Sequence, residues 1–94
     1  MIINKLNDIF SECCKEFGLS EEVVKSRVRT QDVVYCRKVF CAIVKEKYDI
    51  SYDILARILG ISKVAVRNLT LTEPNNKYYS VCKLNVLHTI DKWK

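Results

Sequence analysis

The sequence predicts an all-α domain of five to six helices, and three observations carry that expectation. Apolar residues recur at three- and four-residue steps along most of the chain. Glycine occurs twice and proline once in 94 residues, so little interrupts a helix. Small polar residues that favour helix N-termini stand just before several of the periodic segments. Hydrophobic content of 49% is enough for a modest packed core and argues against global disorder. No stretch carries a strand signal, an internal repeat or a low-complexity tract.

Residues 2–17 predict an amphipathic helix, with Ile2, Leu6, Ile9, Phe10, Cys13 and Phe17 on one face. Gly18 is a ready stop. Ser20 then caps a short helix whose Glu21 and Glu22 sit favourably at its positive end. That helix gives way to a basic loop, KSRVRT, at residues 25–30. Thr30 opens a long central helix running to about Tyr48. Val33, Cys36, Phe40, Ile43, Val44 and Tyr48 form its core stripe. Val34, Val39 and Cys41 widen it, so burial on more than one side is expected. Residues 71–76, with Glu73-Pro74-Asn75-Asn76, break the chain. Asn75 or Asn76 then caps a last helix reaching about Trp93, with Tyr79, Cys82, Val86, Ile90 and Trp93 on one stripe.

Between the central and last helices lies the most informative segment, Ser51 to Thr70, SYDILARILGISKVAVRNLT. It predicts two short helices joined by a tight turn. Ser51 caps the first, Gly60 ends it in the left-handed conformation, and Ser62 caps the second. Ala56 is small where two helices would cross, and Val66 falls where the second would face back onto the first. This is the pattern of a helix-turn-helix, whose second helix enters the DNA major groove.

Charge is unevenly placed. The net charge is +5, but residues 1–24 form an acidic helical extension of net −3, whereas residues 25–94 form a basic region of net +8. The basic part contains the two-helix segment, so DNA is the expected polyanion and the acidic helix is suited to packing or partner binding. Five cysteines, an odd number, follow no stretch resembling a secretory signal. Reduced, buried thiols in a cytoplasmic protein are the expectation. One histidine and no paired C-x-x-C spacing give no zinc signature, no cofactor is implied, and no catalytic constellation points to an enzyme.

The second short helix offers Lys63, Arg67 and Asn68 on its outer face, with Ser62 and Val64 near its start. Arg67 has the fork to pair bidentately with guanine, Asn68 suits adenine or a phosphate, and Val64 suits a thymine methyl. Ser51, at the N-terminus of the first short helix, has capping as its main expected role and a phosphate as a second.

The order basic loop, long helix, helix-turn-helix, closing helix resembles the C-terminal DNA-binding domain of the bacterial replication initiator DnaA. The likeness covers roughly residues 25–90 and rests on Ser26-Arg27-Val28-Arg29, on Arg37 early in the long helix, and on the spacing from there to Ser51–Gly60. It implies a Trp-repressor-like architecture, with Arg27 and Arg29 reaching the minor groove or adjacent phosphates and Arg37 at a DNA-contacting position. The family's G-G-R-D-H-T-T stretch is replaced here by Gly60-Ile61-Ser62-Lys63-Val64-Ala65-Val66, so its base specificity does not carry over. No G-x-x-x-x-G-K-[ST] phosphate loop accompanies it. The expected function is therefore binding of double-stranded DNA in transcriptional or replication control. The alternative is a protein-interaction module that keeps the scaffold without DNA. The first and last helices are the candidate surfaces for a homodimer or protein partner.

Overall fold

The structure, a computed structural model, describes residues 2–26 and 28–93; the side chains of Ile2 and Ile3 also fall outside the described set. Six helices follow one another: α1 (Ile2–Phe17), α2 (Glu21–Val24), α3 (Gln31–Tyr48), α4 (Tyr52–Leu59), α5 (Lys63–Leu71) and α6 (Lys77–Asp91). No strand occurs among the described residues. The all-α expectation therefore holds, at the upper end of its helix count.

The central helix α3 organises the rest. It packs against α1, α2, α5 and α6, and α1 also packs against α6. Val33, Cys36, Val39, Phe40, Cys41, Ile43 and Val44 are all buried, which is more than a single stripe, as the broad apolar face predicts. Phe40 meets Phe10 of α1 edge to face, with ring centroids 5.3 Å apart. The acidic first helix is built into this core through Leu6, Ile9, Phe10 and Cys13. Polar side chains tie it to its neighbours: Asn85 of α6 donates to Glu16 (2.9 Å), and Ser11 donates to Glu21 of α2 (2.9 Å). No helix in the described residues is long and apolar enough to cross a membrane.

Local chemistry sets most helix ends. Gly18 and Gly60 adopt the left-handed conformation, φ 66° and 69°, that a glycine allows without a Cβ clash. Ser20, Ser62 and Asn76 each accept a hydrogen bond from the backbone N–H three residues on. Thr30 and Ser51 occupy N-cap positions with extended backbone, but their side chains make no capping bond. Asp49, at φ 49°, closes α3 in the left-handed region despite its Cβ.

Three expectations change. Trp93 is not on the core stripe: α6 ends at Asp91, the chain turns through Lys92, and the indole is 39% exposed. The helical period that aligns Trp93 with the core stripe does not extend beyond Asp91, where α6 ends. Arg37 is not a surface residue: it is 6% exposed, because the α2 backbone crosses over it. Ser51 does not cap α4 with its hydroxyl. All five cysteines are free and buried. Burial pushes the Cys13 thiol up and the Cys41 thiol up to about 12, so both pack as neutral, apolar groups.

Candidate functional site

The site begins with the joint between α4 and α5. The last turn of α4 closes when Gly60 N–H (2.8 Å) and Ile61 N–H (3.2 Å) both donate to the Ala56 carbonyl. Ser62 then starts α5, its hydroxyl accepting from Ala65 N–H (3.1 Å) and its carbonyl from Val66 N–H. The turn is short because the left-handed Gly60 reverses the chain direction at once. Leu55, Ile58 and Leu59 bury one side of α4, and Val66 buries the inner side of α5. The packing of α5 on both α4 and α3 fixes which side of α5 is left over.

That outer side carries Lys63, Val64, Arg67, Asn68 and Leu71. Positions 64, 67, 68 and 71 follow the i, i+3, i+4, i+7 spacing of a single helix face. Val64 is 68% exposed and Leu71 64% exposed. Lys63 faces Asp53 of α4, with Nζ and Oδ2 3.7 Å apart. The far end of α5 is held too: Lys38 of α3 donates to the Leu69 carbonyl (3.4 Å) and the Thr72 carbonyl (3.1 Å). A cation on these free carbonyls offsets the negative end of the helix.

The basic loop lies against the same joint. A Cβ placed on Gly60 would sit 3.3 Å from the carbonyl oxygen of Lys25, so the start of the loop touches the turn between α4 and α5. The loop is anchored from below by Arg37. Its Nε donates to the Val24 carbonyl (2.9 Å) and its NH2 group donates to the Ser26 carbonyl. Burial, with Arg29 nearby, lowers the Arg37 pKa from its usual value. Ser26 adds a second fixing point: its hydroxyl donates to Val23 O (2.6 Å) and accepts from Val28 N–H (3.2 Å). Arg29 projects from this anchored loop and is exposed. Arg27 lies outside the described residues.

The arrangement sets the start of the basic loop, at Lys25, beside the Gly60 turn, from which the exposed side of α5 with Ser62, Lys63, Val64, Arg67 and Asn68 begins; Arg29 is exposed four residues further along the loop. Arg37 is buried and supports the start of the loop from inside. Ser51 is exposed at the start of α4, two residues before the Asp53 that meets Lys63. Two residues absent from the sequence-based set belong with them. Lys25 and Arg57 border a cleft of about 290 Å³, lined also by Asn7, Ile54 and Ile58, beside the Gly60 turn. The Lys25 ammonium sits 5.4 Å from the Phe10 ring centroid, within cation–π range. Lys25 opens the basic loop and Arg57 has no motif to mark it; only the approach of α1, the start of the loop and α4 pairs them. Comparisons with protein families, with curated proteins and with solved structures find no match to this chain.

Proposed function

We propose that α4 and α5 act as a helix-turn-helix and that the protein binds double-stranded DNA, with α5 in the major groove and the basic loop on the flanking backbone. The observation that carries this reading is the contact between the Lys25 carbonyl and the Gly60 turn, which sets a basic loop beside the exposed start of α5. The face of α5 mixes a guanidinium, an amide and two apolar side chains in one stripe. Guanidinium and amide match the donor and acceptor patterns of guanine and adenine, and an exposed valine matches a thymine methyl. Lys25, Arg29 and Arg57 supply phosphate contacts around it, and such contacts carry most of the affinity without specifying sequence. Arg37 contributes by holding the loop, so its role here is positioning. Control of transcription or replication is the setting this reading fits.

The exposed Val64 and Leu71 also suit a protein partner, which keeps the interaction-module reading in play. Selection from random duplex DNA with the purified protein separates the two. Enrichment of a defined motif supports DNA reading by α5. Salt-labile binding without enrichment leaves a basic surface alone, and absence of binding favours a protein ligand.

A further inference from the structure

The cleft beside the Gly60 turn collects cations that the fold leaves without a counter-charge. Lys25 comes from the start of the basic loop, Arg57 from α4 and Asn7 from α1, and all three are exposed. Among the described residues neither Lys25 nor Arg57 forms an ion pair, and no carboxylate lines the cleft. The Lys25 ammonium rests on the Phe10 ring instead, a weak hold at an exposed site. Ile54 and Ile58, one turn apart on α4, add apolar lining, and Ile58 is buried. At about 290 Å³ the cleft stands at the small end of ligand sites, which run from about 300 to 1,000 Å³. A second cleft, of about 220 Å³ between α3 and α5, is basic too, but its charges are already engaged. There Lys38 donates to the Leu69 and Thr72 carbonyls, Lys45 donates to the Ile50 carbonyl, and Glu46 and Glu73 share the lining. Only the cleft at Lys25 and Arg57, of these two, combines open cations with an apolar wall.

We propose that this cleft binds a small phosphate monoester with an apolar body. Charge selects the head group. Two cations without a carboxylate suit a dianion, and a monoester, whose second pKa is about 6, is close to doubly charged above neutral pH. A carboxylate would answer only one of them. The planar fork of Arg57 takes two phosphate oxygens side by side, Lys25 serves the head group as a point charge, and the Asn7 amide adds a neutral donor. Ile54 and Ile58 then cover the apolar body of the ligand. Phosphate is also what Lys25 and Arg57 meet in the DNA-binding reading, and two properties separate the sources. A backbone diester carries a single charge, and a duplex is too broad to enter a cleft of this size and reach the buried Ile58. The small ligand uses both the charge and the apolar wall, so its binding stands or falls without DNA.

Amide chemical-shift titration of the full chain without DNA, at about pH 7.5, tests this with three probes: phenyl phosphate, inorganic phosphate and dimethyl phosphate, the last a stand-in for the backbone diester. Phenyl phosphate should bind one to one with a Kd of about 0.1–1 mM, the range its size allows. The shifts should centre on Asn7, Lys25, Ile54 and Arg57. The two probes without a ring should bind at least about fivefold more weakly, since neither covers the isoleucines. Arg57→Gln should weaken phenyl phosphate at least about tenfold. Lys77→Gln, which removes one exposed charge from α6, should leave it within about twofold. Ile54→Ala should weaken phenyl phosphate and leave inorganic phosphate unchanged. Circular dichroism checks that all three variants fold. Dimethyl phosphate binding as tightly as phenyl phosphate overturns the proposal and leaves a backbone contact alone. So do shifts that do not saturate or that centre elsewhere, an Arg57→Gln no weaker than Lys77→Gln, or an Ile54→Ala without effect on phenyl phosphate.

Discussion

Helices α5 and α6 both lie on α3, but they are held in opposite ways. The fifteen residues of α6 are anchored by the helix's face, with Tyr79, Cys82, Val86 and Ile90 buried along its length. The nine residues of α5 have one fully buried side chain, Val66, and are anchored at the ends. Gly60 and Ser62 fix its start, and Lys38 holds its last carbonyls. A helix held at its ends can give up its face. That is why α5 can leave Val64, Arg67, Asn68 and Leu71 in solvent while keeping a fixed direction. A helix held by its face, as α6 is, has only its back to offer, and that back is apolar at its centre instead of cationic.

The contrast depends on the core that both helices share, and the largest expected effect is there. Phe40→Ala on α3 removes a fully buried ring packed against Phe10 and should cost about 3–5 kcal/mol. Urea denaturation measures it. A loss below about 1 kcal/mol would mean that the α1–α3 layer is not the common support. Next comes the loop anchor. Arg37→Ala deprives the Val24 and Ser26 carbonyls of a charged donor, and the expected cost is about 1.5–3 kcal/mol. Arg37→Lys should recover little of it, because one ammonium cannot reproduce a two-point guanidinium grip. Full recovery by lysine would show that charge alone matters at that position.

A smaller effect of another kind is expected on the open face of α5. Arg67→Ala should weaken binding to a selected duplex by about 1–3 kcal/mol and relax preference at one or two positions, without changing the thermal midpoint. Arg29→Ala should weaken binding across most sequences and lower the salt slope by about one unit if it meets a phosphate. Affinities against single-base variants at several salt concentrations compare the two. Identical behaviour of both variants would mean that α5 does not read bases.

What the sequence made legible was whatever a residue decides within its own turn of chain. Gly18, Gly60, Ser20, Ser62 and Asn76 act through their own backbone or the next three residues, and each stands where the pattern predicts. The outward placement of Lys63, Arg67 and Asn68 follows from helical period plus the burial of Val66, so it was legible too. Arg37 was not, because its burial depends on carbonyls 11 and 13 residues earlier in the chain. The pairing of Lys25 with Arg57 depends on α1, α2 and α4 meeting, which no local pattern records. Serines fail as signals in the same way. Ser51 and Ser62 look equivalent in sequence, yet only the Ser62 hydroxyl turns back onto its helix.

That difference between the two serines gives a direct test of end-anchoring. Ser62→Ala should destabilise by about 0.5–2 kcal/mol, the usual worth of a side-chain N-cap, whereas Ser51→Ala should change stability little. Lys38→Met, which removes the cation from the other end of α5, should fall in the range of about 0.3–1 kcal/mol. Thermal melts of the three variants rank them. If Ser51→Ala costs as much as Ser62→Ala, the two helix starts are held alike and α5 has no special anchoring at its N-terminus.

The smallest effect lies at the joint between α5 and α6, where the two modes of anchoring meet. Glu73 follows α5 by two residues and reaches over α6, accepting from the Lys83 ammonium (2.7 Å) and the Tyr79 hydroxyl (3.3 Å). The hydrogen bond from Lys83 holds the Glu73 carboxyl below the usual glutamate range, with Tyr79 adding to it. Its folded-state pKa is therefore depressed relative to the unfolded chain. The stabilisation is present above the unfolded value, near about 4.3, and is lost as pH falls through the lower folded value. Because the carboxylate is about half exposed, solvent screens the pair and the contribution is small. Glu73→Gln should accordingly lower the thermal midpoint slightly at pH 7 and converge with the parent in strong acid. Added salt should narrow the gap at pH 7. Melting curves between about pH 2 and pH 7 measure that convergence. A gap that stays constant across the range would mean that Glu73 holds the joint by packing, and that α5 and α6 are connected without an electrostatic clasp.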